Sequence, residues 1–224
     1  RDKTAVVEYD LAAKKEVKEL YANPEYDVDG VSWSARRKVL ESVNFTSWKG
    51  EHHFLDKEAE AEYTKMKDKF SGYEVGLYGN NDAEDKFVVW TGNDKLAAKY
   101  YFYDKKTGET KFLADAFPWL KEGDMASRKA MEYKSRDGLT IHGYLTLPKG
   151  VEAKNLPVVI NPHGGPWARD SWGYNGEIQF LANRGYAVLQ MNFRGSTGYG
   201  KAFWLKGAKQ WGKTMQDDIS DGVQ

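Results

Sequence analysis

Gly164 and Gly165 follow the apolar run Val158-Val159-Ile160 through Asn161-Pro162-His163 and precede Pro166-Trp167. A glycine pair just after a buried strand can turn backbone N–H groups outward and let them approach a ligand closely. That is the chemistry of an oxyanion hole, whose donors face the oxygen that gains charge during acyl transfer. A purely structural turn is the competing account of the same residues. A hydrolase of this kind also needs a nucleophile on a Gly-x-Ser-x-Gly elbow, and none of the ten serines has that setting. Ser196, in Arg194-Gly195-Ser196-Thr197-Gly198, comes nearest with its glycine spacing off by one, and is set aside as a nucleophile. His163 lies inside the turn that would supply the donors, so it is expected to orient the loop rather than act as a general base.

Further residues could carry chemistry. Asn192-Phe193-Arg194-Gly195-Ser196-Thr197-Gly198-Tyr199-Gly200 invites comparison with a phosphate cradle, but it fits neither Gly-x-x-x-x-Gly-Lys-Ser/Thr nor Gly-x-Gly-x-x-Gly, and no apolar helix is expected to follow at once. Arg194 is expected to brace loops at the site through charge-assisted hydrogen bonds. Trp167 and Trp172 flank the glycine turn and suit either a pocket lining or the core. His52 and His53 alternate along a strand, so their rings face opposite sides and cannot share a metal. His142 has no acidic or histidine partner at ligand spacing. Asp217, Asp218 and Asp221 share a helix face, where a solvated first turn is a better account than a metal site. No metal or cofactor is expected.

The elements that would hold these groups divide the chain in two. Val6 to Lys15, His52 to Glu58 and Tyr100 to Glu109 share one plan: alternating aromatic or β-branched residues, an aspartate (Asp10, Asp56, Asp104), a charged turn, then a second strand. The aspartates are 46 and 48 residues apart, a period that suits four-stranded propeller blades. Further strands are expected at Lys38 to Phe45 and Phe87 to Thr91, and a plain antiparallel sandwich is the alternative architecture. Composition changes near Phe117-Pro118-Trp119-Leu120, so residues 1–120 are expected to be the last blades of an incomplete propeller and 121–224 a second domain. There, Met131 to Lys134 and Leu139 to Leu147 form a hairpin. A strand over Leu156 to Asn161, a helix over Tyr174 to Arg184 capped by Gly185, and a strand over Tyr186 to Phe193 follow, with a last helix from Met215 in which Ile219 and Val223 pair. This alternation implies a mainly parallel, doubly wound sheet.

Composition narrows the function. Lys+Arg and Asp+Glu number 33 each, so no global field draws nucleic acid or an anionic membrane, and any polyanion site would be a local patch. The mean hydropathy of −0.72 and the lack of a long apolar run exclude a membrane-spanning helix. With no cysteine, disulfides, thiolate metal sites and a cysteine nucleophile are excluded, while the compartment stays open. The chain starts at Arg1 and stops inside a helix, so truncation at both ends is expected.

His163-Gly164-Gly165-Pro166-Trp167, the Asn192 to Gly200 segment, Trp211-Gly212 and Met215-Gln216-Asp217-Asp218, in this order, resemble the prolyl oligopeptidase family of serine peptidases, in its acylaminoacyl-peptidase and dipeptidyl-peptidase-like branch. The resemblance implies an N-terminal β-propeller capping a C-terminal α/β-hydrolase domain, cleavage of short peptides by a Ser-Asp-His triad, and a propeller that excludes folded proteins. It places Gly165, with Gly164 beside it, in the oxyanion hole. It also implies that the triad lies beyond Gln224, so the chain by itself would be inactive. One branch uses a tyrosine hydroxyl as an oxyanion donor where this chain has His163. An esterase of the same fold, or a non-catalytic propeller that binds partners, are the alternatives. Oligomerisation is compatible with all three.

Overall fold

The computed structural model describes residues 1–224. The first half contains β1 (Ala5–Asp10), β2 (Lys15–Ala22), β3 (Val28–Ser34), β4 (Val39–Thr46), β5 (Gly50–Phe54), α1 (Lys57–Lys69), β6 (Glu74–Tyr78), β7 (Lys86–Gly92), β8 (Lys99–Asp104) and β9 (Thr110–Asp115). These strands form separate antiparallel sheets in the orders β1-β2, β3-β4-β5 and β6-β7-β8-β9. Asp10 and Asp104 start the hairpin turns as the shared plan requires. Asp10 Oδ1 accepts from the N–H groups of Ala12 and Ala13, and Asp104 Oδ1 from those of Lys106 and Thr107.

Asp56 departs from the plan. Its carboxylate accepts from Ala59 N–H at 2.9 Å and caps α1, so a helix replaces the expected second strand. The sequence favours this locally. Glu58 and Glu60 lie in the first turn and Lys67 and Lys69 in the last, complementing the helix dipole. The helix is held by Met66, fully buried against Val75, Val89 and Tyr103. Arg37 ties its start to β4 through Asp56 and Glu41 at 2.7 and 2.9 Å.

The second half contains β10 (Arg128–Lys134), β11 (Thr140–Thr146), β12 (Val158–Ile160), α2 (Gly176–Asn183), β13 (Ala187–Asn192), α3 (Lys201–Leu205) and α4 (Thr214–Asp221). Its sheet has the order β10-β11-β13-β12, and only β12 and β13 run parallel. The expectation of a mainly parallel sheet is corrected for these strands: β10 and β11 are a hairpin, and β11 lies antiparallel on β13. The single crossover, through α2, gives the single parallel pair. Asn175 caps α2, and Gly185, at φ +90°, ends it. Val223 lies beyond α4 and is exposed, so it does not pair with Ile219 within the helix as expected.

Strand alternation gives this sheet two different faces. Ile141, Leu189 and Met191 form the apolar one and pack with Met215 and Ile219 of α4. On the other, Arg128 is paired with Thr146, Tyr144 with Gln190, and His142 with Asn192. This polar face looks toward the first half. Tyr144 Oη donates to Trp48 O at 2.5 Å, and the Arg169 guanidinium donates to Thr46 O and Ser47 O at 2.9 and 2.7 Å. Gln179 of α2 adds a third tie: its amide accepts from Ala126 N–H and donates to Asp94 O and Ala126 O, all within 2.9 Å.

Candidate functional site

The parallel pair β12–β13 brings two loops together at its carboxyl end, the edge where open α/β sheets bind ligands. One loop carries His163, Gly164 and Gly165; the other runs from Phe193 to Gly200. Gly165 has φ +133°, and a Cβ there would sit 2.7 Å from Trp167 N, so neither conformation nor space admits a side chain. A Cβ on Gly164 would meet nothing within 4 Å. Both glycines are exposed, and neither N–H donates to an acceptor in the protein. Two unpartnered donors in adjacent residues of an exposed turn suit an anionic oxygen.

His163 holds the turn against the second loop. Its ring stacks on Phe193 at 4.6 Å, with Nδ1 2.9 Å from Gly164 O and Nε2 2.9 Å from Ser196 Oγ. Ser196 Oγ also lies 2.7 Å from Phe193 O, so its hydroxyl bridges that carbonyl and the His163 ring. Ser196 is fully buried, which closes it to a substrate. A second tie runs from Thr197 N–H to Ala168 O.

Arg194 is almost fully buried, and its Nε and Nη2 fork grips Asp218 at 2.8 and 2.6 Å while its backbone N–H donates to the same carboxylate. Nη1 reaches the half-exposed Asp137 at 2.8 Å. The carboxylates push the guanidinium pKa upward, Asp218 foremost. The solvated first turn expected for Asp217, Asp218 and Asp221 is therefore corrected. Asp218 is fully buried on Arg194, while Asp221 and Asp217 pair with Arg136. The short helix α3 begins directly after Gly200, also contrary to expectation.

Trp167 and Trp172 part ways. Trp172 Nε1–H donates to Arg128 O, and its ring meets Trp48 edge-on at 5.8 Å, which places it in the seam between the halves. Trp167 stays 58% exposed, its ring 6.2 Å from both Trp204 and Trp211. His52 and His53 face opposite sides of their sheet, His52 against Tyr63 and His53 stacked on Tyr21. His52 also lines a cavity of about 340 Å³ between β4, α1 and β6 that the sequence did not signal. Burial lowers its pKa, as it lowers that of His142, which bonds Glu132 and stacks on Tyr199.

Sequence reasoning also missed Arg169, Asp170 and Arg128. Asp170, its pKa raised by burial, accepts from Gln190 Nε2 and leaves Oδ2 without a partner, and Arg128 keeps Nε and Nη2 free in the same polar layer. Only strand register could have hinted at this layer, since Arg128, Tyr144 and Gln190 fall on one face.

The arrangement defines a chain in which antiparallel sheets dock on a mixed α/β sheet with an anion-ready turn at its parallel edge. Residues 172–224 match the model of the prolyl oligopeptidase family. Those residues belong to that family, as the motifs implied. It is 35% identical over 231 residues to dipeptidyl aminopeptidase BIII of Pseudoxanthomonas mexicana, matching 100% of this chain and 33% of that protein. It is 32% identical over 164 residues to dipeptidyl peptidase family member 6 of Caenorhabditis elegans, matching 64% of this chain and 22% of the relative. The chain thus spans a third or less of the length of these relatives. Its fold is similar to that of a puromycin-hydrolyzing peptidase from Mycobacterium tuberculosis, with a TM-score of 0.69 at 22% identity over 94% of this chain and 33% of the other. No helix is long and apolar enough to cross a membrane.

Proposed function

We propose that this chain is part of a serine peptidase acting on short peptides, in which Gly165 and Gly164 supply backbone donors to the oxyanion hole. The observation that carries this reading is the pair of exposed, unpartnered N–H groups held at the carboxyl end of β12 by the His163–Ser196 contact. In acyl transfer the scissile carbonyl oxygen becomes an oxyanion in the tetrahedral intermediate, and donors fixed beforehand stabilise it without reorganising. The Ser, Asp and His of the triad come from elsewhere in the longer protein, with the nucleophile's own N–H as the further donor. Residues 1–120 contribute blades of a β-propeller, the sheets β3-β4-β5 and β6-β7-β8-β9 among them. Residues 121–224 contribute the first part of an α/β-hydrolase domain. Trp167 belongs to the pocket, and His163 and Arg194 brace its loops.

The test is made on the whole protein that carries this chain, with a fluorophosphonate probe, short aminoacyl-naphthylamides and short acyl esters. Peptidase turnover is expected, and Gly165→Ala should lower kcat by roughly 10²–10³ as for loss of one oxyanion donor. Gly164→Ala, with open space and no positive φ, should cost far less. Exclusive ester turnover would replace the peptidase by an esterase, and absence of probe labelling would leave a binding module.

A further inference from the structure

Trp167 sits two residues past Gly165 and is the hub of an exposed aromatic cluster. Trp167, Trp204 and Trp211 are 58%, 38% and 65% exposed, and the ring of Trp167 lies 6.2 Å from each of the other two. Along this stretch of chain the charge is one-sided, and the carboxylate of Asp2 meets it only at the start of α3, on Ala202 N–H. No Asp or Glu occurs between Glu177 and Asp217, whereas Lys206, Lys209 and Lys213 lie within a few residues of Trp204 and Trp211 along the chain. All three lysines are exposed, and none has a carboxylate within 4 Å. A chain of zero formal net charge therefore carries a local positive, aromatic surface at the rim of the glycine turn.

We infer that this surface is a substrate subsite that takes the C-terminal part of a short peptide, an apolar residue lying on the tryptophan rings and the free C-terminal carboxylate facing the lysines. The inference rests on the reading of Gly164 and Gly165 as oxyanion donors and adds the substrate class. Spacing and charge both point to this occupant. An extended peptide advances about 3.3–3.6 Å per residue, so each ring-to-ring step spans about two residues and leads from Trp167 toward the segment that bears the lysines. A short peptide ends in a carboxylate within a few residues of the scissile bond, while an internal bond of a long chain has none so near. A flexible stem and a compact charge let each lysine follow that carboxylate without a fixed fork. Aromatic rings add contact area for neighbouring apolar side chains.

The experiment compares tetrapeptides with a free C-terminal carboxylate and their C-terminal amides, using the whole protein. Exposed ion pairs are individually weak, so three together should lower KM for the acid about fivefold relative to the amide. The triple variant Lys206→Glu, Lys209→Glu, Lys213→Glu should reverse that preference, so that KM for the acid exceeds KM for the amide. Trp211→Ala should raise KM for acid and amide alike. Equal KM values for acid and amide in the native protein, or a preference that survives the triple substitution, would overturn the subsite. If no peptide is hydrolysed, the peptidase reading fails, and titration of the same two peptides by tryptophan fluorescence still decides the subsite. Acid-selective quenching upholds it. Its absence, or displacement of the peptide by duplex DNA or anionic vesicles at lower concentration, removes it.

Discussion

Replacing Asp218 by alanine is the most discriminating perturbation of this fold. Its carboxylate is fully buried and accepts three bonds from one residue, Arg194 N–H at 2.9 Å, Nε–H at 2.8 Å and Nη2–H at 2.6 Å. Without Asp218 the guanidinium stays inside, since only 7% of the Arg194 side chain is exposed, and only Asp137 at its edge remains to compensate it. Breaking a buried pair on one side costs about 3–5 kcal/mol, mostly through the charge left behind. Asp137 is 47% exposed, so Asp137→Ala should cost no more than about 1 kcal/mol. The double variant Arg194→Met, Asp218→Leu, which removes both charges, should recover most of the loss. Guanidinium chloride melts of the whole protein followed by tryptophan fluorescence give the three values. A cost for Asp218→Ala under about 1 kcal/mol, or one equal to that of Asp137→Ala, would refute the reasoning.

Other expectations follow from the same geometry. Ser196→Ala should leave fluorophosphonate labelling of the whole protein intact, because the hydroxyl is buried and donates to Phe193 O; stoichiometric loss of label would make Ser196 the nucleophile after all. Arg169→Met removes bonds to Thr46 O, Ser47 O and Tyr199 Oη and should weaken docking of the two halves by about 2–4 kcal/mol, seen as faster hydrogen exchange at Asp27 and Gly200. His52 and His142 have pKa values lowered chiefly by burial, so the folded state favours their neutral forms. The unfolded chain then binds more protons, and stability should be full above the unfolded histidine pKa of about 6.5 and fall as pH drops below it. Double substitution by glutamine should flatten that part of the stability profile. Asp85 and Asp221, held down to about 2 by Lys106 and Arg136 respectively, contribute a separate loss that begins as pH falls into the unfolded aspartate range and is complete below the folded value.

Local chemistry made part of this structure legible. The β10–β11 hairpin, α2 with its Gly185 stop and the opposed rings of His52 and His53 follow from alternation, capping and φ preference, each of which acts within a few residues. Helix α1 was legible in principle, since Asp56 and the acidic-to-basic gradient are a cap and a dipole match, but similarity to the Asp10 and Asp104 turns overrode that signal. The burial of Asp218 was not legible, because the arginine that draws it inward is 24 residues away and meets it only after β13 and α4 have packed. The polar face holding Arg128, Gln190 and Asp170 was hidden for the same reason: register across three strands creates it, and no segment alone contains it.

The segment from Gly195 to Gly200 looked like a phosphate cradle because both need backbone to be approached closely. Here the approaching groups are protein. A Cβ on Gly200 would lie 2.5 Å from Lys3 Nζ and 2.6 Å from Asp2 Oδ2, and one on Gly198 would lie 2.6 Å from Arg169 Nη1. Gly200 N–H donates to Asp27 Oδ2, Gly198 O accepts from Asp27 N–H, and Lys3 Nζ donates to Tyr199 O. Gly198 and Gly200 thus serve docking of the first half. Since the same segment holds Ala168 through Thr197 and His163 through Ser196, the N–H pair at Gly164 and Gly165 takes its position from that docking. Asp27→Ala, remote from the glycine turn, should therefore reduce kcat of the whole protein along with the stability of the seam. If kcat stays at its native value while exchange at Gly198 and Gly200 rises, the turn is set by β12 alone and the coupling is absent.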